Sequence, residues 1–345
     1  MFNLFSEELA AADYYIDLGT ANILIAARGK GIIVNEPTLI AFSEVKPGKR
    51  KVVGVGLDAR EKVQRTPGNI TSLRPLKDGV IADFDTTEVM LKYFFKKMKL
   101  HSFMRRPRIV VSLPFGVTEV EKHAVVDAGK SAGAKEVYLI DEPMAAAIGA
   151  LLPIKEPLGS MIIDIGGGTT EVAVIALSDI VYCQAVRIGG NKFDEAIVDY
   201  FMKKKSLVIS ELAAEQLKVK YGTATPKKDI LRGEVSGRDF NTGLNRTLEF
   251  TSEDIGNAMD ENLREIINVA HLALENTPPE LVSDIMETGI VVSGGGALIR
   301  GLDVRLQNEI RLPVKIADNP LTTIAKGGEM VLDDPELLYK IQLDY

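Results

Sequence analysis

Two short stretches of this chain carry residues able to handle a polyphosphate. Residues 161–177 run as an apolar segment, a glycine turn and a second apolar segment. Asp164 stands near the end of the first segment, and Thr169 and Thr170 open the second. Branched residues on both sides fit strands, and Gly166, Gly167 and Gly168 fit the turn between them. Successive N–H groups in such a turn form a cradle that an anion can approach closely. A carboxylate beside the cradle repels phosphate unless a cation lies between them. Asp164 therefore points to Mg²⁺, a hard ion that shares itself with phosphate oxygens. A plain β-hairpin with a glycine turn accounts for this one stretch as well. The pattern recurs, however: Asp17-Leu18-Gly19-Thr20 matches Asp164-Ile165-Gly166 and Thr169. Such a repeat implies two related half-domains, each with a phosphate turn and an aspartate.

A third carboxylate comes from Asp141-Glu142-Pro143, where an apolar run gives way to an alanine-rich helix, 144–151. Pro143 suits the first turn of that helix. The end of a strand faces the crevice where α/β sheets bind ligands. Glu142 is thus either a site carboxylate or a charge partner of the helix N-terminus. A third glycine turn, Gly294-Gly295-Gly296, follows the strand-like Ile290-Val291-Val292-Ser293. No P-loop pattern occurs. Gly54-Val55-Gly56 imitates a dinucleotide fingerprint, but Pro67, Gly68 and Pro75 follow, and no βαβ unit is expected there.

Composition narrows the field. A chain of 345 residues, 46% hydrophobic and 26% charged, has room for two or more globular domains with real cores. The net charge of −7 argues against a general nucleic-acid binder. One cysteine, Cys183, excludes a disulfide framework and reads as a buried, inert thiol. His101, His123 and His271 form no zinc motif. No apolar run reaches the roughly 18 residues of a membrane span, and no secretory signal is visible, so a cytoplasmic location is expected.

The elements that must position these residues alternate in type. Strand-like segments at 31–42 and 51–56 mark a small insert, about 31–79. Helix 86–98 and the buried strand 108–114 follow, and a capping box at Thr118 and Glu121 opens the next helix. A hinge is expected at 153–157, which holds Pro153 and Pro157. Helices led by Gly189-Gly190-Asn191 and at 211–221 fall within a second insert, about 190–250, whose part 222–250 reads as strands and turns, and 254–275 reads as a long amphipathic helix. Phe2, Phe5 and Leu9 lie on one face of a short helix, 2–12, that either docks on the protein or inserts shallowly into a membrane. Lys96, Lys97, Lys99, Arg105, Arg106 and Arg108 bracket Leu100, Phe103 and Met104. That segment is either a solvated loop or a contact with an anionic lipid surface.

In this order the motifs resemble the actin, Hsp70 and sugar-kinase superfamily over essentially the whole chain. Asp17-Leu-Gly-Thr and Asp164-Ile-Gly-Gly-Gly-Thr-Thr look like its two phosphate motifs. Asp141-Glu142-Pro143 and Ala325-Lys-Gly-Gly328 look like its connecting motifs, and Gly294-Gly-Gly like its adenosine motif. Within it the chain is most similar to the MreB family of bacterial actin homologues, through Glu142-Pro-Met-Ala-Ala-Ala-Ile-Gly149, Thr277-Pro-Pro-Glu-Leu-Val-Ser-Asp-Ile285 and Gly294-Gly-Gly-Ala-Leu-Ile-Arg-Gly-Leu302.

The resemblance implies an α/β, actin-like ATPase fold of two related ribonuclease-H-like halves, each with a smaller inserted subdomain. The halves would be 1–152 and 153–320, with 321–345 a C-terminal helix returning to the first. It further implies that ATP or ADP with Mg²⁺ lies between the halves. Gly19, Thr20, Ala21 and Asn22 would hold phosphates from one side, and Gly166, Gly167, Gly168 and Thr169 from the other. Asp17 and Asp164 would hold Mg²⁺ through waters. Glu142 and Thr169 would orient the attacking water. Glu215, Lys218, Gly294, Gly295, Gly296 and Gly328 would meet the adenosine. Slow hydrolysis coupled to head-to-tail filaments is implied, the filaments paired antiparallel on the inner face of the cytoplasmic membrane. Phe2, Phe5, Leu9, Leu100, Phe103 and Met104 would make the membrane contact. Membrane proteins of the cell-elongation machinery would be partners, and the outcome would be a maintained rod shape. A soluble small-molecule kinase of the same fold, or an Hsp70-like switch without self-assembly, stays open as an alternative.

Overall fold

Aromatic and branched side chains make Tyr14–Leu18 a strand, β1, buried from Tyr15 onward. The computed structural model describes residues 13–46, 49–65, 70–98 and 106–345. The proposed membrane residues Phe2, Phe5, Leu9, Leu100, Phe103 and Met104 therefore lie outside the described residues. After a three-residue turn, β2 (Asn22–Ala27) returns antiparallel along β1, and β3 (Gly31–Pro37) returns along β2. The insert expected from residue 31 therefore begins later. The tight turn at Gly29, with φ of +68°, sends 31–37 back onto the main sheet.

Strand β4 (Ile40–Lys46), β5 (Lys49–Val55), helix α1 (Leu57–Arg65) and β6 (Ile70–Leu73) form the insert, a sheet ordered β5-β4-β6. Both neighbours of β4 run antiparallel to it, so β5 and β6 are parallel and α1 joins them. The strand–helix–strand unit absent from the sequence reading thus exists. It offers no anion site, because the α1 N-terminus is taken: Leu57 N–H donates to Glu36 Oε2 at 3.1 Å, and Glu36 also pairs with Lys97.

The chain continues through a short hairpin, β7 (Leu76–Lys77) and β8 (Val80–Ile81), into α2 (Phe84–Lys97) and β9 (Arg108–Leu113). Then come α3 (Glu119–Ala132), β10 (Glu136–Asp141) and α4 (Glu142–Gly149). The expected capping box opens α3: Thr118 N–H donates to Glu121 Oε2 at 2.8 Å. The first large sheet is ordered β10-β9-β1-β2-β3, with β10, β9 and β1 parallel. Phe94, Phe95 and Met90 of α2 fill the core against Ile16, Ile23 and Ile25.

The second sheet repeats the first. Strands β11 (Ser160–Ile165), β12 (Thr170–Ala176) and β13 (Asp179–Val186) are followed by α5 (Gly190–Lys205), β14 (Leu207–Val208) and α6 (Glu211–Tyr221). Next are β15 (Arg232–Asp239), β16 (Asn245–Thr251), α7 (Ser252–Glu275), α8 (Pro279–Thr288), β17 (Ile290–Ser293), α9 (Leu302–Ile310) and β18 (Val314–Ile316). The sheet order is β13-β12-β11-β17-β18, the same plan as the first, strand for strand. Every residue of β11 and β12 is buried, Asp164, Thr170 and Glu171 included. Strands β14, β15 and β16 form a small separate sheet. On α7, Ile255, Met259, Leu263, Ile266, Ile267 and Ala270 are buried, as its periodicity predicts. Cys183 is only half-buried, because β13 lies at the sheet edge and exposes alternate residues.

The last segment is two helices rather than one, α10 (Thr323–Leu332) and α11 (Pro335–Ile341). By contacts the chain divides into two units. One runs to Glu156 and includes Leu177–Asp179 and Thr322–Tyr345. The other comprises Pro157–Ala176 and Ile180–Leu321, so the division falls inside the 153–157 segment.

Candidate functional site

The first turn is tight and braced from behind. A Cβ on Gly19 would lie 2.6 Å from Asn22 O, so only glycine fits. Thr38 Oγ1 donates to Gly19 O at 2.7 Å, and Thr38 N–H to Ala21 O at 2.9 Å. The Arg74 guanidinium reaches Thr20 O at 3.3 Å and Ala21 O at 3.4 Å. Thr20 is buried and its hydroxyl accepts the Gly79 N–H at 2.8 Å. With its carbonyls engaged, a turn of this kind presents N–H groups to an anion. Asn22 opens β2 and is exposed. Thr38, Arg74 and Gly79 carried no signal in the sequence, because they reach the turn from the insert and its flanks. Asp17 is buried beside the turn, level with Ser112 on β9.

The second turn is built on different supports. Gly166 N–H donates to Thr169 O at 2.9 Å, closing the loop. Its carbonyls are capped by the start of α5: Gly190 N–H donates to Gly166 O and Asn191 N–H to Gly167 O, both at 2.9 Å. Gly189 is needed here, since a Cβ would lie 2.7 Å from Gly166 O. The two threonines separate in role. Thr170 is buried and donates to Ile188 O at 2.7 Å, whereas Thr169 sits half-buried in the turn itself.

Lys218, which the resemblance puts at the adenosine, has two partners of its own. Its Nζ donates to Gly190 O and to Asp194 Oδ2, each at 2.8 Å, bracing the start of α5 under the turn. Asp194 was not anticipated; burial pushes its carboxyl up to about 6 against the opposing pull of Lys218. Glu215, half-buried on α6, adds to that rise.

Asp164 is buried, and burial pushes it up to about 6 although Ser293 Oγ donates to its Oδ1 at 2.5 Å. Ser293 joins the site through strand register alone, lying 129 residues away. Gly294 and Gly296 pack on the end of β11. Gly294 has φ of +80°, and a Cβ on either would strike Ile165. Gly295 is more open, its nearest neighbour Leu321 lying 3.4 Å from a built Cβ. Gly328 lies in α10 against the Tyr15 ring, a contact that by itself accounts for the glycine.

Glu142 occupies the first turn of α4, 7% exposed, just after the N-cap Asp141. Every residue of α4 is buried. Its position is fixed by α10, which crosses it so closely that a Cβ on Gly149 would strike Thr323 O and one on Gly327 would strike Ala145 O. Asp141 makes no side-chain cap bond, and burial raises it to about 6 against the pull of Lys122.

Among the described residues no three His, Cys, Asp or Glu side chains assemble into a metal cluster. The donor set on offer is single aspartates beside the two glycine turns. That suits a cation which keeps its own waters and takes further oxygens from a phosphate.

Comparison with known proteins agrees with this plan. A sequence profile of the MreB/Mbl protein family matches residues 11–340. The cell shape-determining protein MreB of Escherichia coli strain K12 is 50% identical over 323 residues, 93% of each chain. The cell shape-determining protein Mbl of Bacillus subtilis strain 168 is 44% identical over 333 residues, 96% of this chain and 99% of that one. The crystal structure of MreB5 of Spiroplasma citri bound to ADP superposes with a TM-score of 0.88 at 35% identity, covering 96% of this chain and 99% of that one. A MamK double helical filament shares the fold at 18% identity, with a TM-score of 0.79 over 93% of this chain and 99% of that one. The chain belongs to the MreB/Mbl family and has its actin-like fold.

Proposed function

We propose that this protein binds and slowly hydrolyses ATP, and that nucleotide state governs its assembly into filaments. The filaments run head to tail, pair antiparallel and lie on the inner face of the cytoplasmic membrane. There they engage membrane proteins of the elongation machinery and organise cell-wall synthesis, so that a rod keeps its shape. The observation that carries this reading is the doubled Asp-x-Gly turn, on two sheets of one order, in a chain of the MreB/Mbl family. The shape-determining names of the relatives and the MreB5 structures with ADP and AMPPNP support it. A head-to-tail contact is heterologous and does not close on itself, so it propagates.

In this reading Gly19, Thr20, Ala21 and Asn22 bind phosphate oxygens, as do Gly166, Gly167, Gly168 and Thr169. Asp17 and Asp164 are the carboxylates offered to Mg²⁺, through its waters. Bound there, Mg²⁺ would neutralise phosphate charge and supply the countercharge that buried Asp164 lacks. Glu142 and the Thr169 hydroxyl hold the attacking water in line with the γ-phosphate. Glu142 need not be a strong base, since phosphoryl transfer rests on positioning and charge stabilisation. Glu215, Gly294, Gly295, Gly296 and Gly328 line the adenosine side, and Lys218 acts there through the start of α5.

One experiment tests the reading: negative-stain microscopy with Mg²⁺-ATP alongside phosphate release by wild type and Glu142→Ala. Long paired filaments are expected from the wild type. The variant is expected to bind ATP with release slowed about a hundredfold or more. Turnover without filaments would return the kinase or the non-assembling switch. Undiminished turnover in the variant would remove Glu142 from its role.

A further inference from the structure

The two units share a detail finer than sheet order. Ile109-Val110-Val111-Ser112 on β9 and Ile290-Val291-Val292-Ser293 on β17 are the same four residues. Each strand runs parallel to the aspartate strand of its unit, and the register is the same: Asp17 beside Ser112, Asp164 beside Ser293. Side chains level with one another on neighbouring strands leave the sheet on the same face. Each serine therefore stands beside its aspartate, and both serines are 0% exposed.

The two hydroxyls are used differently. Ser293 donates to Asp164 at 2.5 Å, whereas Ser112 Oγ is buried with no hydrogen-bond partner among the described residues. An unpaired buried hydroxyl destabilises a fold, and alanine would fill the position without that cost. The expense is explained if the hydroxyl is used in a state other than the free one.

We propose that Ser112 is a positioning residue of the first phosphate turn, its hydroxyl donating to Asp17 when magnesium–nucleotide binds, as Ser293 donates to Asp164. This rests on the nucleotide reading above. Nucleotide without metal places no demand on Asp17, so the effect of Ser112 is confined to the magnesium complex.

The test uses the full chain as wild type, Ser112→Ala and Ser293→Ala. Thermal unfolding is followed without nucleotide, and AMPPNP binding is titrated by calorimetry in Mg²⁺ and in EDTA. Ser112→Ala is expected to melt at or above the wild-type temperature when free. It is expected to lose about tenfold in affinity for Mg²⁺-AMPPNP and nothing in EDTA. Ser293→Ala is expected to melt lower even when free, because it breaks a bond already made. Wild-type affinity for Mg²⁺-AMPPNP in Ser112→Ala overturns the proposal, as does a lowered melting temperature of its free form. Equal losses in Mg²⁺ and EDTA overturn it too. A wild type that binds no nucleotide in Mg²⁺ removes the nucleotide reading and this proposal with it.

Discussion

Three aspartates, Asp141, Asp164 and Asp194, are each pushed up to about 6, and burial is the largest cause in every case. Asp141 gives the cleanest test, since it has no cap bond to lose. Between about pH 4 and 6 the folded chain keeps a proton on Asp141 that the unfolded chain has released. The stability contributed by that group is complete below pH 4 and is lost as pH rises through 6. Asp141→Asn is therefore expected to be more stable than wild type at pH 7.5 by about 1 kcal/mol. The gain should vanish at pH 4, as read by urea unfolding at both values. At this scale the sequence was a partial guide. Asp17, Asp164 and Glu142 announce themselves beside turns and proline. Ser293, Ser112 and Asp194 do not, because each owes its place to strand register or to a helix packed from elsewhere. Lys218 was visible as a charged residue on a helix, but its hydrogen bonds to Gly190 and Asp194 were not.

Between elements, the tightest fit is the crossing of α4 and α10. An added Cβ at Gly327 would strike Ala145 O and sit 2.7 Å from Gly149 N, both backbone atoms that cannot swing aside. Gly327→Ala is expected to destabilise the protein by about 2 kcal/mol, measured by urea unfolding. In a chain that still folds, phosphate release should fall as well, because α4 carries Glu142. Helix α7 was legible because its apolar period is long and regular. The β5–α1–β6 unit was not, because Pro67, Gly68 and Pro75 mask the return of the strand. The span of β3 departs from the sequence expectation for a related reason: nothing local says which sheet a strand will join.

For the whole molecule, the proposed site of action is a lipid surface. Phe2, Phe5 and Leu9 offer apolar area, as do Leu100, Phe103 and Met104 within the basic segment. Each neighbouring cation adds about 1 kcal/mol toward anionic lipid. Filaments are expected to sediment with anionic liposomes. Deleting residues 1–12 and replacing Leu100, Phe103 and Met104 by serine should leave them in the supernatant; unchanged co-sedimentation would discard these anchors. The two-unit plan was readable from the repeated Asp-x-Gly turn, since a repeat survives in sequence even where contacts do not show. The place of α10 was harder to read from local pattern, and it has a consequence for synthesis. Ala325, Gly327, Gly328, Val331 and Leu332 are buried in the unit that also holds Glu142, yet they follow the other unit in sequence. All residues of the other unit are made before them. The half begun before the other is thus completed after it, and Glu142 stands on a helix whose crossing partner is made only once the whole of the other half has been made.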